Sequence, residues 1–350
     1  MMKRVVIVDD SRAMRAWLRA VLDRDPRLNV VGEAENANQA RQIIKETKPD
    51  VITLDIHMPG MSGLEFLSRL MRLHPLPVVM VSAATKFGSE ATITALMNGA
   101  VDCILKPTGG TDAKTSRDMA RRVFSAACSS VRPSGKAHSF AAPTLQPPDG
   151  GPQPIILIGA STGGVRALEV VLRDLSPDGP PVVIVQHMPA TFLISFSKLL
   201  NRKLDQDVGL ATDGGCLGAG QIVLAPEQGF HTEINRRNGR WVTYLRPNNE
   251  RVAHCPSVDA LFSSATPFGH DVIGVILTGL GRDGAEGLLQ LHRSGAQTIG
   301  QNEETSVVFG MPRAAWEFGA VDHQLPLEHI GQAINAAVEK HGRRPHRLVR

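Results

Sequence analysis

The run Ile155-Ile156-Leu157-Ile158-Gly159-Ala160-Ser161-Thr162-Gly163-Gly164 sets a hydroxyl between glycines directly after four apolar residues, three of them β-branched. Such a segment reads as a buried parallel strand that turns sharply into the helix marked by Val165, Leu168, Val171 and Leu172. Gly-x-Ser-x-Gly is the spacing of a nucleophile elbow, in which flanking glycines let a substrate carbonyl approach the serine. The competing reading is a Gly-rich turn that binds phosphate or simply turns. A dinucleotide turn fits less well, because Ser161 stands where Gly-x-Gly-x-x-Gly needs its second glycine. A serine hydroxyl is a poor nucleophile at neutral pH and needs a base. His187 closes the apolar strand 182–186 and so emerges at the same carboxyl edge, whereas His231, His254 and His270 fall at a strand start or in loops, where histidines are usually just solvated. The orienting carboxylate expected from a third strand end is Asp283, which follows strand 272–277 through Thr278-Gly279-Leu280-Gly281-Arg282 and whose alternative role is a helix N-cap. Together Ser161, His187 and Asp283 have the geometry of a triad, in a chain order unlike that of α/β-hydrolases.

A second set of groups lies in the first third of the chain. Asp9-Asp10 ends one apolar run, Asp55 and Ser82 end two more, and Lys106 follows a fourth. Three carboxylates brought to one point repel unless something positive sits among them, and a hard cation with oxygen ligands, magnesium above all, is the usual answer. Lys106 aims a further positive charge at the same spot, and the Ser82 hydroxyl offers a donor to a phosphoryl oxygen.

The elements that must carry these groups alternate. Strands at 4–8, 30–33, 51–54, 77–82 and 101–105 are separated by helices at 13–22, 37–45, 64–73 and 90–97. The period of about 25 residues predicts a parallel, doubly wound sheet of flavodoxin-like order. A helical stretch from 112 to 129 follows, with Met119, Val123, Phe124 and Ala127 on one face and Arg117, Arg121, Arg122 and Arg132 making the region basic. Prolines at 133, 143, 147, 148, 152 and 154 then mark an extended, semi-rigid tether. The second half resumes with strand 155–158, helix 166–172, strand 182–186 and helix 192–200, then shorter segments at 221–225, 231–236 and 241–245. The last two are joined through Asn238-Gly239, a hairpin signature. Helix 257–264, strand 272–277, helix 285–294, strand 297–300 and helices 312–318 and 327–340 complete it, giving an α/β, mostly parallel sheet with an inserted antiparallel hairpin. The expected division is 1–107, a linker over 108–153, and 154–345.

Composition narrows the function classes. At 350 residues two domains are expected, each large enough for its own core. No apolar run approaches the roughly 20 residues that cross a bilayer, and the short run after Met1-Met2-Lys3-Arg4 soon meets Asp9-Asp10, so neither a leader nor membrane insertion is expected. Cys103, Cys128, Cys216 and Cys255 lie far apart, which fits a reducing cytoplasm rather than a disulfide framework. The net charge of +4, from 38 basic and 34 acidic residues, is too small and too concentrated in the tail from Lys340 to argue for nucleic acid.

Residues 3 to 107 resemble a two-component receiver domain through Asp9-Asp10, Asp55-Ile56-His57-Met58-Pro59-Gly60-Met61-Ser62-Gly63, Ser82 and Lys106-Pro107 after Gly99-Ala100. The resemblance implies that Asp55 accepts a phosphoryl group from a chemotaxis histidine kinase. Asp9, Asp10, Asp55 and the backbone carbonyl of His57 would surround magnesium, and Ser82 and Lys106 would respond to the phosphoryl group. Where many receivers carry an aromatic three residues before the lysine, this chain has Cys103.

Residues 154 to about 340 resemble the catalytic domain of the chemotaxis protein-glutamate methylesterases, the CheB family. The motifs are Gly159-Ala160-Ser161-Thr162-Gly163-Gly164, Gln186-His187-Met188, Pro256-Ser257-Val258-Asp259, Leu277 to Ala285, and Val307-Val308-Phe309-Gly310-Met311-Pro312. The family more often has Met and Asn where Leu280 and Arg282 stand. The resemblance implies a phosphorylation-activated esterase acting on methylated transmembrane chemoreceptors, with a possible glutamine amidase activity and no cofactor for the ester reaction. Backbone amides near Thr162 and Leu280 are the candidate oxyanion donors. The alternative function is a receiver fused to a non-catalytic nucleotide- or effector-binding α/β domain.

Overall fold

The computed structural model describes residues 2–83, 86–107, 113–129, 153–226, 229–248 and 254–342. The chain divides into two units, Met1–Lys136 and Ala137–Arg350. Residues 130–152, which hold Arg132 and all but the last proline of the Pro-rich tether, and the tail beyond residue 342 lie outside the described residues.

The first unit alternates β1 (Lys3–Val8), α1 (Arg12–Leu22), β2 (Leu28–Ala34), α2 (Ala37–Thr47), β3 (Val51–Asp55), α3 (Gly63–Leu73), β4 (Val78–Ser82), α4 (Lys86–Met97), β5 (Asp102–Leu105) and α5 (Ala113–Ala127). Its parallel sheet has the order β2-β1-β3-β4-β5. Every residue of β3 and β4 is buried, as expected of central strands covered on both faces. Side-chain oxygens of Ser11, Asn36 and Ser62 accept from amides three residues on and start α1, α2 and α3. Helix α5, which the sequence analysis assigns to the linker, packs instead against α1 and the sheet of this unit. Met119, Ala120, Val123 and Ala127 are buried there, and Arg122 grips Asp102 of β5 at 2.9 Å.

The second unit contains β6 (Ile155–Ala160), α6 (Gly164–Arg173), β7 (Val182–Gln186), α7 (Ala190–Lys203), β8 (Asp207–Leu210), β9 (Gly215–Cys216), β10 (Gln221–Leu224), β11 (Phe230–Arg237) and β12 (Arg240–Pro247). It continues with α8 (Val258–Ser264), a 3-10 helix (Thr266–Asp271), β13 (Val272–Ile276), α9 (Ala285–Arg293), β14 (Gln297–Gln301), α10 (Met311–Glu317), β15 (His323–Leu325) and α11 (Leu327–Gly342). A seven-stranded parallel sheet runs β15-β14-β13-β6-β7-β10-β8, and β11-β12-β9 form a separate antiparallel sheet. Strand β6 is entirely buried between β13 and β7, with Gly159 opposite Ile276 and Ala160 opposite Gln186. The carboxyl ends of these three neighbours therefore lie side by side.

Candidate active site

Ser161 follows directly on β6 and His187 directly on β7, and adjacency of the strands makes them neighbours: the His187 amide donates to the Ala160 carbonyl at 3.0 Å. The buried Gln186 locks the two turns together, its Nε2 donating to the carbonyls of Ser161 at 2.9 Å and His187 at 3.2 Å. In the sequence Gln186 stands out only as part of the run Gln186-His187-Met188. A buried carboxamide ending an apolar strand is the signal that could have marked it, because it must find partners for its polar atoms.

From the other side, the loop after β13 crosses over the serine. The Ser161 amide donates to the Thr278 carbonyl at 3.0 Å, and the Thr278 hydroxyl donates to the Thr162 carbonyl at 3.0 Å. Gly279 comes so close that a Cβ there would lie 2.8 Å from the Ser161 Cβ and would also collide with Met311. Leu280 is next in this loop, and its amide donates to no described residue. The Ser161 amide is spent on Thr278, so any donors to charge developing beside Ser161 must come from neighbours such as Leu280.

The same loop ends in Asp283, which is buried and accepts from His187 Nε2 at 2.8 Å. Three more donors surround its carboxylate: the Ser257 hydroxyl at 2.8 Å, the Val258 amide at 2.8 Å and the Asp259 amide at 3.1 Å. Burial opposes its charge, but the His187 hydrogen bond and charge, then the Val258 amide and the Ser257 hydroxyl, outweigh burial and hold it well below the usual carboxylate range. Asp283 does cap a helix, though not the one it precedes: its amide donors belong to the first turn of α8, while Gly284 occupies the N-cap of α9. His187 spends Nε2 on Asp283, its buried Nδ1 has no partner among the described residues, and its ring stacks on His254 with centroids 4.5 Å apart. An ionised Asp283 fixes the proton on Nε2 and leaves Nδ1 as the basic nitrogen.

Two residues set aside or left without a role in the sequence analysis belong to this neighbourhood. His231 is buried rather than solvated, its Nδ1 accepting from the Ser257 amide at 3.1 Å. Asp259 turns its carboxylate to the Gly287 amide at 2.7 Å. Burial first, and then the charge of Asp283, pushes Asp259 up to about 6 against the pull of the Gly287 amide. Arg282 is largely exposed and pairs with Glu286 at 2.8 Å.

In the first unit, Asp9, Asp10 and Asp55 bring carboxylate oxygens within 4.8 Å of one another. Lys106 Nζ lies 2.8 Å from both Asp9 and Asp55. Burial pushes the Asp9 carboxyl up, opposed by the hydrogen bond and charge of Lys106. Ser82 is buried at the end of β4, where its carbonyl accepts from the Lys106 amide at 2.7 Å. Gly63 opens α3 against the Asp55 backbone, where a Cβ would overlap the Asp55 carbonyl. Cys103 is buried, its thiol pushed up to about 12 by burial and then by Asp102.

Comparison with known proteins follows the same division. A CheB methylesterase family model matches residues 156–334, and a response regulator receiver domain model matches residues 5–116. A protein-glutamate methylesterase/protein-glutamine glutaminase of Agrobacterium fabrum is 48% identical over 338 residues, covering 95% of each chain. One from Caulobacter vibrioides is 46% identical over 333 residues, 95% of this chain and 96% of that protein. Among solved structures, the Thermotoga maritima CheB methylesterase catalytic domain matches 54% of this chain and 98% of its own, at 33% identity and a TM-score of 0.50.

Proposed function

The chain belongs to the CheB methylesterase family, with a response regulator receiver domain ahead of the catalytic one, and from that membership we propose a phosphorylation-controlled protein-glutamate methylesterase with Ser161, His187 and Asp283 as its triad. The observation that carries the reading is the hydrogen bond from His187 Nε2, just after β7, to a four-donor Asp283 in the loop after β13, the two strands that flank β6. A phosphate cradle would need the Gly-rich turn but would have no use for this histidine–aspartate pair, so the nucleotide-binding alternative is not favoured.

In the reaction, Ser161 Oγ attacks the methyl-ester carbonyl of a substrate glutamate while His187 Nδ1 takes the serine proton. The negative charge of Asp283 stabilises the imidazolium through Nε2. Amides near Thr162 and Leu280 receive the oxyanion. The C–O bond to methoxide breaks, Nδ1 returns the proton, and methanol leaves a glutamyl ester on Ser161. Water then attacks that ester, giving up its proton to Nδ1, and the proton returns to Ser161 Oγ as glutamate departs. Glutamine would follow the same route with ammonia as the leaving group, more slowly because an amide is the harder bond to break.

In the receiver, Asp55 is the phosphoryl acceptor. Asp9, Asp10, Asp55 and the His57 carbonyl would hold magnesium, which when bound offsets the charge of the carboxylates and of the incoming phosphoryl group. Lys106 and Ser82 stand at the neighbouring strand ends to meet phosphoryl oxygens. The phosphodonor is a chemotaxis histidine kinase and the substrate the methylated cytoplasmic part of a chemoreceptor. The setting is cytoplasmic, and no helix among the described residues is long and apolar enough to cross a membrane. Methanol release from methylated receptor fragments by the purified chain, with and without a small phosphodonor, tests the whole reading. No release by wild type, or equal release by Ser161→Ala, rejects it.

A further inference from the structure

We propose that His231 is a positioning residue of the ester reaction, acting on Asp283 through Ser257, and that the antiparallel sheet β11-β12-β9 serves to splint the helix that holds the triad aspartate. This rests on the triad reading above. Apart from His187, every donor to the Asp283 carboxylate among the described residues comes from three consecutive residues, Ser257, Val258 and Asp259. The aim of Asp283, and through it of His187, therefore depends on where that one turn is held.

Two hydrogen bonds from β11 hold it. At one end of α8, the Ser257 amide donates to His231 Nδ1 at 3.1 Å; at the other, the Ser264 hydroxyl accepts from the Ile234 amide at 3.0 Å. The spacings match. Three steps along a strand cover about 10 Å, and seven steps along a helix cover about 10.5 Å, so strand 231–234 clasps helix 257–264 end to end. Ser257 is fully committed within this arrangement: its amide goes to His231, its hydroxyl donates to Asp283, and the same oxygen accepts from the Ala260 amide at 3.3 Å as the N-cap of α8. His231 and Ser257 are both buried, so water does not compete for either bond. A neutral ring with its proton on Nε2 is the form that accepts at Nδ1.

The acceptor's position on the side chain gives the test. Asparagine carries an oxygen where histidine carries Nδ1, glutamine carries one where histidine carries Nε2, and leucine carries none. In the full-length protein with a methyl-ester substrate, His231→Leu and His231→Gln should each lower kcat at least tenfold with KM within about twofold. His231→Asn should recover most of that loss. Ser257→Ala should lower kcat similarly, and its combination with His231→Leu should fall well short of the product of the two losses, because both act along one chain. Should His231→Leu not fold, the contrast between Asn and Gln decides alone. Equal activities for the Asn and Gln variants, wild-type kcat in His231→Leu, or fully multiplicative losses in the double variant would overturn the proposal. Ser161→Ala separates the two layers: if it is inactive while the His231 variants are normal, the triad stands and the splint falls, and if it is active, the triad reading itself is wrong.

Discussion

His187 has one nitrogen on Asp283 and one buried nitrogen with no partner among the described residues, and that division of labour sets what single substitutions should do. Ser161→Ala removes the attacking oxygen yet fits the turn, so ester hydrolysis should fall below a few per cent of wild type with the thermal midpoint nearly unchanged. His187→Gln should be almost as damaging. Asp283→Asn should be somewhat milder, because the members of a triad act as a unit and their losses do not add. Initial rates on a methyl-ester substrate, beside thermal melts of the same preparations, check the set. The placement of these three residues was legible in the sequence because two directly follow apolar strands and the third ends a short Gly-rich turn after one. Gln186, Ser257 and His231 could not be assigned roles in that way. Gln186 and His231 each meet a backbone group of a distant segment and Ser257 meets the carboxylate of one, and no local spacing encodes which partner will be within reach.

Helices α8 and α9 exchange carboxylates at their starts: Asp283, just before α9, accepts from the first amides of α8, while Asp259, in the first turn of α8, accepts from Gly287 in the first turn of α9. Two acids so close cannot ionise independently. Asp283 is held ionised below its ordinary range and Asp259 is pushed up to about 6. An acid whose folded value lies above its unfolded value binds more protons when folded, so its contribution to stability falls as pH rises from about 4 to about 6. Allowing for solvent screening of this partly exposed group, the loss is on the order of 1–2 kcal/mol. Asp259→Asn should remove that part of the pH slope in denaturant titrations at pH 4 to 7, and an unchanged slope would show that Asp259 does not titrate there. The loop after β13 makes the other element-scale prediction. A methyl group at Gly279 would press on Ser161 and Met311, so Gly279→Ala should cost about 10-fold to 100-fold in kcat, as small misplacements of reacting groups do, while the chain still folds. Wild-type kcat in that variant would mean that the loop yields freely. Regular elements were legible wherever apolar residues recurred with a clear period. Strands β9 and β15, at two and three residues, are too short to show one, and β8 (Asp207-Val208-Gly209-Leu210) is only partly buried and lacks an apolar run. Helix α5 was visible as a helix, but which sheet it covers depends on Arg122 meeting Asp102, a contact between segments that hydrophobic periodicity does not report.

Each unit has a buried sheet of its own, so any influence of phosphorylation on ester hydrolysis must be a coupling free energy between the two units. The coupling required is modest, since a tenfold change in the active population needs only about 1.4 kcal/mol of difference between states. Phosphorylating Asp55 replaces a carboxylate held by Lys106 with a more highly charged group beside Lys106 and Ser82, a local change large enough to supply that difference. The full-length chain should therefore hydrolyse methyl esters several-fold to tenfold faster with magnesium and a small phosphodonor, and Asp55→Asn should stay at the basal rate under the same conditions. Whether the unphosphorylated receiver restrains the esterase or the phosphorylated one stimulates it is decided by a fragment, whose start must respect the structure. The Gln153 carbonyl accepts from Trp241 Nε1 at 2.9 Å and from Arg236 at 3.3 Å, so the cut belongs before Gln153. We expect that fragment to run faster than the unphosphorylated full chain and to ignore the phosphodonor, as restraint requires. A fragment as slow as the unphosphorylated full-length protein would mean that the receiver adds activity only when phosphorylated, and restraint would have to be abandoned in favour of direct stimulation.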